Sequence, residues 1–437
     1  HEVFFNTGTD EHGAKLYQAA KEAGKDVQVY VDEFAEKFRE LKGLLGLSED
    51  IHFIRTTDAH HVSAAQEFWR RCAKNGHIYK KEYEAKYCVG CELEKTDSEL
   101  EGGRCPLHPT RELEVLKEEN YFFAFSRFQN QLLELYRDRP DFVRPDFRHK
   151  EIALFVERGL QDFSISRLKE KMPWGVPVPG DDVHVMYVWF DALVNYISTL
   201  GWPEDQDTFE RFWRDGTPVQ YAGKDNLRQQ TAMWQAMLMA AGLPATHTIV
   251  IGGFVTGEGG VKMSKSLGNV IDPVEIVSDH GTEALRYYIA RHIHPFEDTP
   301  VTREAIKEAY NSGLVNGLGN LTARVMKLAE THLKPGIRSD SAVLPSEYTD
   351  ALSHFAIQDA AQYIWGRIQA LDKTITDTRP FSVVKENPDE GKRLIAPAAT
   401  EIYAIGRLLA PIMPETSKKI MTAVVENKMP LALFPRK

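Results

Sequence analysis

Several classes of protein are excluded by what this chain does not contain. No apolar run approaches the roughly 18 residues that a membrane-spanning helix needs, and nothing at the N-terminus resembles a signal peptide, so the default expectation is a cytoplasmic protein with no membrane partner. There is no internal repeat and no low-complexity segment, which argues against a solenoid or a disordered linker protein. Cysteine is scarce: only Cys72, Cys88, Cys91 and Cys105 occur, and three of them fall between residues 88 and 105, a crowding that reads as metal rather than as a disulfide framework. An excess of positive charge is also missing. The net charge of −10 argues against indiscriminate coating of nucleic acid, although it leaves room for a local basic track.

What is present is an ordinary globular composition, 43% hydrophobic and 27% charged over 437 residues, long enough for two or three domains. The first zone, 1–75, opens with "EVFFNTGTDEHG" (2–13) and "AKLYQAAKEAG" (14–24), a strand, a polar loop and a helix closed by Gly24. A further helix carries Val62, Ala65, Trp69, Cys72 and Ala73 on its apolar positions and stops at Asn75-Gly76, where a left-handed cap forms easily. Zone 76–150 holds the cysteines. From 151 to 255 apolar strands again feed helices, in "VHVMYVWFDALVNYIS" (183–198), "VQYAGKDNLRQQTAMWQAML" (219–238) and "HTIVIGGF" (247–254). Such alternation predicts a Rossmann-like parallel sheet that binds ligands at its strand C-termini. Residues 256–305 form a linking region, and 306–437 read as amphipathic helices, an all-α bundle.

Two stretches carry chemistry on spacing alone. In "CVGCELEKTDSELEGGRCPLH" (88–108), Cys88-x2-Cys91 and Cys105-x2-His108 form two knuckles whose four side chains can close a tetrahedron around zinc, leaving no coordination place for water. In "GGVKMSKSLGNVIDP" (259–273), entered through "GEGG" (257–260), Lys262 and Lys265 sit on a glycine-rich run suited to a polyanion that comes and goes. Read in isolation, two such lysines also fit a solvated surface loop.

Taken together and in this order, "TGTDEHG" (7–13), the zinc cluster, "YVWFDALVNYI" (187–197), "GKDNLR" (223–228), "KMSKSLGNV" (262–270) and "LFPRK" (433–437) resemble the bacterial-type methionyl-tRNA synthetases of class I, over essentially the whole chain. The lysine-rich signature is shared by many class I synthetases, whereas "YVWFDA" with the zinc knuckles points to the methionine enzymes. The resemblance implies a Rossmann-like catalytic domain with a zinc-knuckle insertion, followed by a helical anticodon-binding domain. It implies ATP with Mg2+, L-methionine and tRNA(Met) as substrates, a structural zinc, and a monomer, since no C-terminal dimerisation domain is visible.

The site residues follow from the same resemblance. Lys262 and Lys265 close over the triphosphate, Lys265 being the stronger match, while Gly223 and Asp225 meet the rest of ATP, the carboxylate accepting from ribose hydroxyls. Asp10 holds the methionine ammonium and His12 lines the pocket. Trp189, Ala192 and Tyr196, spaced i, i+3 and i+7, offer aromatic contact to the thioether worth about 0.3–1.5 kcal/mol per pair. Alone, the aromatic stripe also fits a core, His12 a structural hydrogen bond and Asp225 a helix cap. Asn320, Arg324 and Phe381 read the anticodon, with Phe381 replacing the usual tryptophan; either ring can stack on an unpaired base.

Other departures stand out. "IGGF" places Gly252 where a histidine is usual, and Gln229 and Gln230 replace a common Phe-His pair after "GKD", so an altered pocket edge is expected. The family's His-x-Gly-His signature, upstream of "TGTDEHG", is absent, and "TDAHH" (57–61), at the start of a helix and without the glycine, is not a substitute. Two alternatives therefore stand beside the synthetase reading. One is a noncatalytic tRNA-binding module; the other is a leucine, isoleucine or valine synthetase, disfavoured because the 76–150 segment is too short for their editing insertion.

Overall fold

The computed structural model describes residues 2–95, 99–261, 263, 270–334 and 343–436, so Lys262 and Lys265 lie outside the described residues. The chain divides into two compact units, one made of residues 1–42 and 48–251, the other of 43–47 and 252–437. The first unit contains parallel strand pairs, and the C-terminal region is helical. No helix among the described residues is long and apolar enough to cross a membrane.

In the first unit the strand Asn6–Thr9 runs parallel to His52–Arg55, with Asn6 opposite His52 and Thr9 opposite Arg55. Gly8 permits that approach, because a Cβ there would lie 2.0 Å from the carbonyl oxygen of Ile54. The helix Ala14–Glu22 follows, and Gly24 closes it with φ +65°. A helix over Val27–Leu44, absent from the sequence-based reading, buries only Val31 and Ala35, so its apolar stripe was too thin to register. The helix Ala59–Lys74 ends at Asn75, and Gly76 takes φ +76° as the spacing suggested. Its buried face runs through His61, Ala64, Ala65, Phe68, Trp69 and Cys72. Ala73, one step around the helix from Cys72, is exposed.

The insertion is an antiparallel sheet ordered Leu93–Lys95, Ile78–Cys88, Glu114–Phe123, Phe163–Ser164. A second sheet places Thr248–Gly252 between Val219–Gly223 and Val143–Arg144, parallel to the latter. Around these strands Phe68, Phe123, Phe142, Phe190, Trp202 and Trp234 are buried in one core, each stabilising the fold by roughly 1.5–3 kcal/mol on the scale for large apolar side chains.

The second unit is largely helical. Arg303–Ala309 continues through a wider turn, Tyr310–Gly319, into Asn320–His332, and the long helices Ile357–Thr378 and Pro388–Leu409 pack with it around Leu314, Trp365 and Ile402. Proline at the first turn starts Pro380–Glu386, Pro388–Leu409 and Pro414–Glu426, where its missing N–H costs nothing. The "LFPRK" segment docks on this unit: the Tyr310 hydroxyl donates to the Pro435 carbonyl at 2.8 Å, and Phe434 meets the Tyr310 ring edge-on.

Candidate active site

Three consecutive polar residues leave the strand Asn6–Thr9 and go to three different environments. Glu11, 2% exposed, accepts from Arg55 Nε at 2.7 Å and Nη2 at 2.8 Å, from the Thr9 hydroxyl at 2.6 Å, and from the Thr57 hydroxyl. Its backbone is held as well, the N–H donating to the Thr56 hydroxyl at 2.9 Å and the carbonyl accepting from the Trp174 indole at 2.6 Å.

His12 turns the other way. Its Nδ1 lies 2.6 Å from Asp191 Oδ2, while Asp191 Oδ1 lies 2.8 Å from His61 Nε2, and His61 Nδ1 meets the Ser198 hydroxyl at 2.9 Å. Asp191 and His61 are fully buried. Burial works against the Asp191 charge, but the two histidines outweigh it and hold the carboxyl near 2. Burial likewise opposes a charged His12, and Asp191 reverses that effect, raising the imidazole above its ordinary range. Buried charges persist only when paired in this manner.

Asp10 alone is left open. Its carboxylate makes no hydrogen bond to the described residues and faces a cavity of about 230 Å³ lined by residues 6–10, Ile54, Asn195, Tyr196 and Tyr221. Asp10 is solvent-accessible at the cavity, but the protein packed around its carboxyl and then the nearby Asp191 charge lift it to about 6 despite attraction from His61 and His12. An ammonium group in the cavity would relieve both effects.

The structure thus brings Asp10 and Tyr196 to one cavity. Trp189 and Ala192 lie on the short helix Val188–Ala192 and Tyr196 on Asn195–Ser198; residues 193–194 between them keep right-handed helical angles, with the Val194 N–H donating to the Asp191 carbonyl at 3.0 Å. Trp189 and Ala192 pack with Tyr87, Val89, Tyr187 and Val188. The Trp189 indole Nε1 is buried with no partner among the described residues. Gly223 ends the strand Val219–Gly223, and Asp225 is exposed in the turn Lys224–Asn226 that follows. Gly252 closes the strand Thr248–Gly252, and Gln229 and Gln230 are buried in the turn before Trp234.

Sequence reasoning did not assign Glu11, Arg55, His61, Asp191 or Ser198. One signal was available: Asp191 interrupts the apolar run "VHVMYVWFDALV", and a carboxylate inside such a run has to be paired.

The metal candidates come together in the insertion. Cys88 ends a strand, Cys91 sits in the hairpin that follows, and a tight turn carries Cys105 and His108, whose N–H donates to the Cys105 carbonyl at 3.0 Å. All four ligand atoms lie within 4.8 Å of one another. Cys91 Sγ and Cys105 Sγ are 3.8 Å apart, and His108 Nδ1 lies 3.7 Å from Cys88 Sγ; a tetrahedron with bonds of ~2.3 Å has edges of about 3.8 Å. Gly90 makes room, since a Cβ there would lie 2.5 Å from the His108 ring. The cluster therefore fits a four-coordinate ion of zinc size.

In the helical unit, Arg324 and Phe381 line one open groove of about 420 Å³ with Lys327, Leu328 and Ile375. Arg324 Nη1 donates to Asp372 at 2.7 Å, and Phe381 is 43% exposed. Asn320, exposed, lies one turn before Arg324 on the same helix.

Comparison with known proteins points to one family. The family model described as tRNA synthetases class I (M) matches residues 1–114 and 108–326. The methionine--tRNA ligase of Caldanaerobacter subterraneus is 37% identical over 436 residues, 96% of this chain and 67% of the relative. That of Thermotoga maritima is 37% identical over 98% of this chain and 70% of its own length. Among solved structures, Mycobacterium tuberculosis methionyl-tRNA synthetase in complex with methionyl-adenylate superposes with a TM-score of 0.89 at 31% identity, covering 100% of this chain and 92% of that one.

Proposed function

Since the chain belongs to the methionine-type class I tRNA synthetases, we propose that it joins L-methionine to tRNA(Met) in two steps, using the residues assembled above. In the first step a methionine carboxylate oxygen attacks the α-phosphorus of ATP, forming methionyl-adenylate as pyrophosphate leaves. In the second, a hydroxyl of the terminal tRNA ribose attacks the adenylate carbonyl and AMP departs. Neither step requires a covalent bond to the protein, so catalysis lies in positioning and in stabilising charge.

Asp10 holds the α-ammonium, with His12 fixed on Asp191 behind it, and Tyr196, Trp189 and Ala192 form the apolar surroundings of the side chain. Gly223 lets the nucleotide approach the strand end, and Asp225 accepts from the ribose hydroxyls. Lys262 and Lys265 neutralise charge on the triphosphate, which enters with Mg2+. Phe381 stacks on an anticodon base, with Arg324 and Asn320 at its edge. Zinc on Cys88, Cys91, Cys105 and His108 is structural, tying the hairpin to the Cys105–His108 turn. The protein acts in the cytoplasm.

The observation that carries this reading is Asp10: beside neighbours whose charges are all matched, one carboxylate stands unmatched at an open cavity. The test is methionine-dependent ATP–pyrophosphate exchange. Lys265→Ala is expected to slow it by roughly 10²–10³-fold, the scale of one preorganised donor, with little change in methionine affinity. A variant that loses methionine binding yet keeps its rate at saturation would contradict the assignment. For the metal, elemental analysis is expected to find one zinc per chain, lost in a Cys88→Ala/Cys105→Ala double variant; unchanged zinc in that variant would refute the site.

A further inference from the structure

A carboxylate that no neighbour bonds still has to point the right way before a small cation arrives. What aims Asp10 lies in the backbone on either side of it. The strands Asn6–Thr9 and His52–Arg55 run parallel, and their last ladder pair is Thr9 with Arg55. A regular parallel ladder would next pair Asp10 with Thr56 through two bonds, the Thr56 N–H to the Thr9 carbonyl and the Glu11 N–H to the Thr56 carbonyl. The first is present at 3.2 Å. In the second the Thr56 hydroxyl takes the place of its carbonyl, accepting from the Glu11 N–H at 2.9 Å.

Thr56 thus carries the ladder one pair beyond the strands, and the residue it spans is Asp10. Side chains alternate along such a ladder, and the bonds follow that alternation. Thr9, Arg55 and Thr57 meet Glu11 on one face, where its carboxylate accepts from all three. Asp10 is left to the other face, at the cavity. The following peptide is held as well: the Glu11 carbonyl accepts from the Trp174 indole at 2.6 Å, and that ring lies against the His12 ring with centroids 5.5 Å apart. Thr56 is 1% exposed and Glu11 2%. Deprived of the Thr56 hydroxyl, the Glu11 N–H becomes a buried donor, and the adjoining unmatched acceptor is the Asp10 carboxylate itself.

We infer that Thr56 is a positioning residue for the amino-acid substrate: its N–H and hydroxyl hold the two peptides that flank Asp10, and Trp174 holds the next, so that the carboxylate meets the ammonium without first having to be ordered. Neither Thr56 nor Trp174 acts on the ligand directly. Both act through the direction of one charge. The inference rests on the reading that Asp10 binds the methionine ammonium.

Calorimetric titration of the full chain with L-methionine tests it. Thr56→Val, close to the same shape without the oxygen, is expected to weaken methionine by roughly tenfold, the scale of one buried donor left unpaired. Thr56→Ser restores the hydroxyl and should bind within about twofold of the parent. Trp174→Phe, which keeps a ring and loses the N–H, should weaken methionine by about fivefold. The deciding arm is the Asp10→Asn background. Positioning acts only through the Asp10 charge, so there Thr56→Val and Trp174→Phe should each change methionine affinity by less than about twofold. If Thr56→Val does not fold, Trp174→Phe in the two backgrounds carries the same comparison. A loss as large in the Asp10→Asn background as in the parent, or Thr56→Ser as weak as Thr56→Val, would make these residues general supports of the fold and overturn the inference. If Asp10→Asn weakens methionine while Thr56→Val and Trp174→Phe do not, the inference falls alone. If Asp10→Asn binds like the parent, the reading of Asp10 falls, and the inference with it.

Discussion

The loop at Asp10 and the groove at Phe381 treat charge in opposite ways. In the loop, Glu11 is sealed against Arg55, and His12 and His61 are sealed against Asp191, leaving only Asp10 for a ligand. In the groove, Arg324 is held by Asp372 with side chains 37% and 51% exposed, and Phe381 beside it is 43% exposed. A buried pair costs about 3–5 kcal/mol to break from one side, whereas an exposed pair contributes about 0–1 kcal/mol. A small amino acid offers few contacts and needs a site that is already in place. An RNA brings many contacts of its own, so a weakly held arginine can exchange Asp372 for the edge of a base at little cost. The proposed roles of the two regions follow from that difference.

The comparison is broken most forcefully at Asp191. Asp191→Ala strands two buried histidines and is expected to lower stability by about 3–5 kcal/mol, read by urea unfolding. A loss under about 1 kcal/mol would place this pair with the exposed ones and erase the contrast. The matching substitution in the groove has a smaller effect and a different one. Phe381→Ala should weaken tRNA(Met) by about 1–3 kcal/mol in a filter-binding titration, with almost no change in unfolding. Equal weakening toward a tRNA of another anticodon would reduce Phe381 to a general contact.

How far each site was legible depends on how local it is. The four candidate metal ligands lie within one short segment, so all four could be named from the sequence, and the structure brings their ligand atoms within 4.8 Å of one another. The strand, loop and helix around Asp10 were equally local. The network beneath them was not: His12 and Asp191 are separated by 179 positions, and His61 and Asp191 by 130, and no periodicity connects them. The spacing of Trp189, Ala192 and Tyr196 runs through residues 193–194, whose backbone keeps right-handed helical angles, but which of the three lines the cavity was not legible from that spacing: of them only Tyr196 does. Gln229 and Gln230 were seen only as departures from a family pattern. Their burial, and the hydrogen bond from Gln220 to Gln230 at 3.3 Å, emerge only once the strand Val219–Gly223 is placed beside them.

The central claim, that Asp10 is the unmatched carboxylate that receives methionine, is tested most directly by following methionine affinity against pH. In the free protein the Asp10 carboxyl is lifted from the ordinary carboxylate range to about 6. Only its ionised form attracts an ammonium, so binding should be at full strength above pH 7, because methionine finds the charge already present. Below pH 6 it must first displace a proton, and affinity should fall by about tenfold per pH unit. Asp10→Asn should bind weakly at every pH and show no slope between pH 5 and 7. Affinity that stays level across that range in the unmodified protein, or an Asn variant that binds as tightly as the parent, would contradict the account.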